Sequence, residues 1–198
     1  MLLLTVALAG CGQGGGPAAP KPAPAPPELQ WGEAINGLQA GLALRGAPAG
    51  PGSQAKLLLI VRNAGAKPVK IMKVAKIHAG MPPLRLEVSL DGKACHWLGP
   101  TVQPVPIMAD DFMDLAPGAT DSYEEVFSPD LWSPKPQGGE PLKPPFKVQV
   151  VARYAWQQAR VEAGPWQADE SGKLKPTVVD GVWTGEARSK PVEIKVDK

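Results

Sequence analysis

The feature that most constrains this chain is an alternation of apolar and polar residues with a period of two. Leu38, Ala40, Leu42 and Leu44 alternate with Gln39, Gly41, Ala43 and Arg45. Leu84, Leu86, Val88 and Leu90 alternate with Arg85, Glu87 and Ser89, and Phe146, Val148, Val150, Ala152 and Tyr154 with Lys147, Gln149, Val151 and Arg153. Successive side chains of a strand leave opposite faces, so each segment reads as a strand with one buried side. Helices would need a spacing nearer 3.6. Leu57 to Val61 is a continuous apolar run, as expected of a central strand. Tyr123, Val126 and Phe127 mark a further strand, and Val192, Ile194 and Val196 a last one.

Turn chemistry separates these runs. Arg62-Asn63-Ala64-Gly65 ends the apolar run, and Asp91-Gly92 predicts a hairpin whose turn needs positive φ. The strand returning from that hairpin would carry Cys95, His96 and Trp97. In Leu115-Ala116-Pro117-Gly118, proline pre-sets one central φ and glycine supplies the positive φ of the next. Several short strands punctuated in this way predict an all-β fold, an antiparallel β-sandwich. The proline-rich or polar stretches 99–110, 128–145 and 157–180 read as long loops. Pro68 to His78 fits either a short basic helix, with lysines at 70, 73 and 76 and Gly80 as its stop, or a strand. Its β-branched residues favour the strand, with a bulge near Met72 keeping Val69, Ile71 and Val74 inward and the lysines solvated.

The formal net charge is +2, so the basic footprint of a nucleic-acid-binding protein is missing and no nucleic-acid partner is expected. Catalysis is not expected either. The chain has two histidines, His78 and His96, and no Gly-x-Ser-x-Gly nucleophile elbow. Asp110-Asp111 and Glu124-Glu125 are adjacent pairs, which on a strand face opposite ways and read as solvated charges.

Before the strands lies a segment of another kind. From Gly12 to Glu28 the chain is glycines, then prolines at 17, 20, 22, 24, 26 and 27 among alanines. It reads as a disordered tether with a flexible joint and a polyproline II arm, able to span on the order of 40–50 Å. Ahead of it, Leu2 to Leu8 is apolar and ends in Leu8-Ala9-Gly10-Cys11. The run is far shorter than the roughly 20 residues that span a bilayer. An ordinary cleaved signal peptide or a short buried segment are the plainer readings. Leucine, two small residues and cysteine resemble the lipobox of bacterial lipoproteins. That resemblance implies cleavage after residue 10 and acylation of Cys11, with membrane lipid as the partner of the anchor. Two or three acyl chains hold where one binds marginally. Lipoprotein signals open with a basic stretch; its absence here implies a start codon assigned too far downstream. With Cys11 acylated, Cys95 is left as an odd thiol, expected to be buried.

A second resemblance covers most of residues 31–198. Trp31-Gly32-Glu33-Ala34-Ile35-Asn36-Gly37-Leu38-Gln39 resembles the opening of an immunoglobulin-like domain common in secreted and membrane-bound proteins of planctomycetes. The likeness continues at Leu58 to Gly65, at Asp91 to Trp97 and at Leu115 to Gly118. It ends with Val182-Trp183-Thr184-Gly185-Glu186 and Ser189-Lys190-Pro191-Val192-Glu193-Ile194. It implies an immunoglobulin-like sandwich without catalytic residues. A weaker likeness, to small bacterial β-sandwich proteinase inhibitors, rests on the strand-and-turn pattern alone. The expected organisation is a signal peptide over 1–10, a lipidated linker over 11–30 and the sandwich over 31–198. The expected work is non-catalytic binding or scaffolding at the cell envelope, with an envelope protein or glycan as partner and no cofactor.

Two residue sets stand out as candidate sites. His78, Met81, Cys95 and His96, with Met108 and Met113 further on, are the imidazole and sulfur donors that suit Cu(I), which makes a periplasmic copper-binding factor the alternative function. Methionine is also ordinary core filler. Of six tryptophans, Trp97 and Trp183 are expected in or beside the core, and Trp31 where the tether meets the sandwich. Trp132, Trp156 and Trp166 fall in or beside the long loops. There they either anchor a partner or pin the loops to the sheets.

Overall fold

A computed structural model describes residues 28–48, 50, 52–76, 83–100, 103, 105–136 and 139–197. Residues 1–27, which hold the expected lipobox with Cys11 and the expected tether, lie outside the described residues, as do His78 and Met81. The strands are β1 Gln30–Trp31, β2 Leu38–Gly46, β3 Ala55–Asn63, β4 Val69–Met72, β5 Leu84–Leu90, β6 Lys93–Ala94, β7 His96–Trp97 and β8 Phe112–Leu115. They continue as β9 Thr120–Phe127, β10 Trp132–Ser133, β11 Phe146–Trp156, β12 Arg160–Ala168, β13 Leu174–Asp180, β14 Gly185–Arg188 and β15 Val192–Val196. Short 3-10 turns occupy Ala109–Asp111 and Pro129–Leu131.

The chain folds as an antiparallel β-sandwich with immunoglobulin-like strand order. One sheet runs β1-β2-β3-β9, the other β14-β11-β5-β6, with β15 also paired to β11. The chain makes β2 and β3, crosses to β5, returns to lay β9 beside β3, then crosses again to lay β11 beside β5. Strands β14 and β15 share the free edge of β11, pairing with Arg153–Trp156 and Phe146–Val150 respectively. Pro191 cannot donate to a ladder, so this edge strand is interrupted between them. Ser189 mends the gap: its hydroxyl accepts from the Ala152 N–H at 2.9 Å.

The alternating residues do what their spacing predicts. Leu38, Ala40, Leu42, Leu57, Leu59 and Val61 from one sheet meet Leu84, Val148, Val150, Ala152 and Ile194 from the other in one core. Fully burying one such aliphatic side chain contributes about 1.5–3 kcal/mol. Asp91 and Gly92 take φ of 50° and 74°, joining Leu90 to Lys93 as expected of that dipeptide. Asn36-Gly37 makes a second turn of the same kind before β2, with φ of 48° and 82°. At Ala116–Ala119 the Ala119 N–H donates to the Ala116 carbonyl at 3.0 Å, and Gly118 has φ of 77°.

Buried polar groups lock the strand ends. Asn63 is fully buried. Its amide donates to the carbonyls of Lys67 at 2.8 Å and Leu115 at 2.7 Å, and its side-chain oxygen accepts the Gly65 N–H at 2.9 Å. The Tyr154 hydroxyl accepts from Met72 N–H at 3.1 Å and donates to Met72 C=O at 3.0 Å, tying β4 to β11.

Several expectations are corrected. Residues 157–180 are not a loop but mostly the hairpin β12–β13. In 68–78, the strand ends at Met72 with no bulge in its pairing to β8; Ile71 and Val74 join the main core while Met72 turns into a second cluster. Lys76 is not merely solvated: it pairs at 2.8 Å with Asp111, whose carboxylate is buried in a 3-10 turn rather than displayed on a strand. Trp97, expected in or beside the core, lies beside it and is 49 % exposed. Its ring lies against the Gly99 backbone and edge-on to Trp132 at 5.4 Å.

Candidate functional site

Hairpin β12–β13 is a two-stranded ribbon outside both main sheets. Val161, Ala163 and Val179 line its inner face and pack with Met72, Phe112 and Val182 into a cluster separate from the main core. Residues two apart on a strand share a face. The outer face therefore takes Glu162 opposite Val178 and Ala168 opposite Leu174. An Arg160–Asp180 ion pair at 3.7 Å sits at its base. Between Ala163 and Gln167 the register shifts in a bulge that holds Gly164, Pro165 and Trp166. Trp166 is 52 %, Leu174 61 % and Val178 39 % exposed.

The tip of the ribbon is braced. Asp169 Oδ1 accepts from the Ser171 N–H at 2.9 Å, the Ser171 hydroxyl at 2.6 Å and the Lys173 N–H at 3.0 Å, and Lys175 lies 3.1 Å from Oδ2. The Ser171 hydroxyl first and Lys175 second hold the Asp169 carboxyl at about 2, below the usual aspartate range. Hydrogen bonds to a carboxylate favour its charged form. An apolar outer face is thus carried on a short, internally tied element.

The ribbon has a defined place on the sandwich. It leaves β11 after Trp156 and returns to β14 at Gly185, whose neighbour across the ladder is Trp156 itself. Val182 bridges to Lys70, and the Trp183 indole donates to the Ile35 carbonyl at 3.1 Å. The ribbon base and the Asn36-Gly37 turn therefore share one end of the sandwich. Strand β1 pairs Trp31 with Gly41 and Gln30 with Leu42, so β1 is entered from the opposite end. Trp31 fastens this approach: its ring fills the space over Gly41, and the Arg62 guanidinium stacks 4.4 Å from its centroid.

The three loop tryptophans part company. Trp166 is open on the ribbon. Trp132 is 7 % exposed, with Phe127 stacked at 6.4 Å, and so is no exposed anchor. Trp156 is half-buried, edge-on to Phe112 at 6.0 Å, with its indole N–H donating to the Gln158 carbonyl at 2.8 Å. Leu174 and Val178, which complete the exposed face, had no place in the sequence reading. Their signal was two apolar residues four apart beside Pro176.

The soft-metal donors are scattered among the described residues. Cys95 is buried in the main core, where burial pushes its thiol pKa up. His96 is half-buried and pairs with Ser133 across β7–β10. Met113 packs against the main core, whereas Met108 lies against Gly164 at the ribbon. No three His, Cys, Asp or Glu side chains gather as metal ligands among the described residues.

Of the adjacent carboxylates, exposed Glu124 pairs with Arg45 at 3.3 Å. Half-buried Glu125 has its carboxyl pKa raised by burial. A groove at the opposite end, lined by Leu90, Pro134, Pro141, Leu142, Pro145 and Phe146, is flanked by Lys143 and Lys147. Both lysines are already paired, with Glu140 at 2.6 Å and Glu193 at 2.8 Å. The ribbon is the stronger candidate. Among the described residues no helix is long and apolar enough to cross a membrane. Compared with known proteins, the chain matches no family model and no curated sequence.

Proposed function

We propose that this chain is an envelope lipoprotein, anchored to a bacterial membrane through an acylated Cys11, whose sandwich is a non-catalytic binding or scaffolding module. The ribbon β12–β13 is the element that meets the partner, an envelope protein or glycan. One observation carries the binding reading. Trp166, Leu174 and Val178 are exposed on a braced ribbon, at the end of the sandwich opposite the one from which β1 is entered. Tryptophan is among the residue types most enriched in binding anchors, and here one is exposed on a tied element. A tether joined at the far end would present that face outward from the membrane.

Two measurements test the reading separately. Mass spectrometry of native membranes is expected to find Cys11 as an acylated N-terminal residue; an unmodified thiol on a chain still beginning at Met1 would remove the anchor. A photo-crosslinking residue at position 166 is expected to capture a discrete envelope component, protein or glycan, which the same probe at exposed Lys56 on the sandwich does not. Equal capture from both positions would remove the ribbon as the binding element.

A further inference from the structure

Met108 fills the space that Gly164 leaves by having no side chain. A Cβ at Gly164 would lie 2.6 Å from Met108 Sδ and 3.1 Å from its Cε. The backbones meet at the same place: the Gly164 N–H donates to the Ile107 carbonyl at 2.7 Å, and Met108 bridges to Gly164. This seam joins the ribbon to the segment before β8, and the small cluster of Met72, Phe112, Val161 and Val179 lies beside it. Met108 is nonetheless 36 % exposed, while Met72 is fully buried and Cys95 8 % exposed. Met113 is half-buried. Among the described residues that carry sulfur, Met108 is the most exposed, although its Sδ itself is turned onto Gly164.

We propose that Met108 is an oxidation site and that its sulfoxide unseats the β12–β13 ribbon. The oxidant is hydrogen peroxide. The thioether lone pair attacks one peroxide oxygen and forms the S–O bond as the O–O bond breaks. The proton of the attacked oxygen passes to the leaving one, which departs as water. Sulfur gives up two electrons, and the peroxide takes them. The product is polar where the thioether was apolar, and a polar oxygen shut away without a hydrogen bond is costly. The Gly164 N–H already donates to Ile107, so the seam opens to hydrate the new oxygen. The ribbon yields before the sandwich does, because few buried apolar residues hold it.

The test treats the full chain with graded hydrogen peroxide, maps sulfoxides by peptide mass spectrometry and follows amide hydrogen exchange. Met108 is expected to oxidise before Met72 and Met113. Exchange across β12 and β13 then rises about tenfold or more while β3 and β11 stay protected. Met108→Leu, which keeps an apolar plug of similar size, is expected to hold the ribbon under the same treatment. Gly164→Ala is expected to loosen the same amides with no oxidant, since its Cβ displaces the plug. Sulfoxide at Met108 with unchanged ribbon exchange would overturn the proposal. So would equal loosening in peroxide-treated Met108→Leu, or a ribbon that stays protected in Gly164→Ala.

Discussion

The interior between the two sheets and the cluster beneath the ribbon use the same kinds of side chain in very different amounts. Among the described residues the first gathers 25 buried side chains and the second six. The sandwich closes over both inner faces and adds polar locks, Asn63 and Tyr154, at its strand ends. The ribbon buries one face and leaves apolar side chains on the other. Local stability follows the apolar contacts that must be broken to open a segment. The two regions are thus expected to open at different free energies, with exposed Trp166 on the weaker one. Binding surfaces need that arrangement, since a partner can supply the burial that the fold leaves undone.

The largest expected effect breaks the stronger side of this contrast. Asn63→Ala removes the acceptor of the Gly65 N–H and the donor to two carbonyls, in a fully buried place. Of these bonds the one to Leu115 is buried, so at about 1–3 kcal/mol for a buried group left unsatisfied the loss should be roughly 2–3 kcal/mol, read by denaturant unfolding of the whole domain. Tyr154→Phe is the next test, because its hydroxyl ties the sandwich to Met72 and so to the ribbon cluster. About 2 kcal/mol is expected, with faster amide exchange in both regions. Val161→Ala should be smaller and local, roughly 1–2 kcal/mol. Hydrogen exchange should then speed up in β12 and β13 and not in β3; equal acceleration everywhere would erase the distinction.

The smallest effect is one of pH. On the outer face of the second sheet, Arg153 first and Arg188 second hold the Glu186 carboxyl at about 2, below the usual glutamate range. Glu87 closes the lattice, 2.8 Å from Arg188 and 3.4 Å from Arg153. A carboxylate whose folded pKa is depressed adds stability above its unfolded pKa and loses it as pH falls through the folded one. Stability should therefore decline from about pH 4.5 toward pH 2. Glu186→Gln should flatten that decline modestly, since the side chain is 39 % exposed and solvent screens the pairs. Glu125 works against it. Burial raises its carboxyl pKa, so its charged form costs stability at neutral pH and the cost is relieved on protonation.

Much of the sandwich was legible in the chain itself. Period-two runs became β2, β5 and β11, the unbroken apolar run became the central β3, and Asp91-Gly92 and Pro117-Gly118 made their turns. These are signals of local sterics and of which face meets water, and both act within a few residues. Asn36-Gly37 carries the same turn chemistry and makes the same kind of turn.

The ribbon was hidden for a different reason. Gly164, Pro165 and Pro176 are poor strand residues, and only Val161, Ala163 and Val179 turn inward, so its pattern resembles a polar loop. Which of Trp97, Trp132 and Trp166 would be open, and which covered, could not be read locally either. The answer depends on Phe127, Gly99 and the bulge at Gly164, whose separations in sequence bear no relation to their meeting in space. The sequence by itself determined strands, turns and a sandwich, because backbone sterics and one-sided burial are written residue by residue. Only the tertiary structure decided which apolar side chains find cover, because cover comes from whatever distant segment arrives.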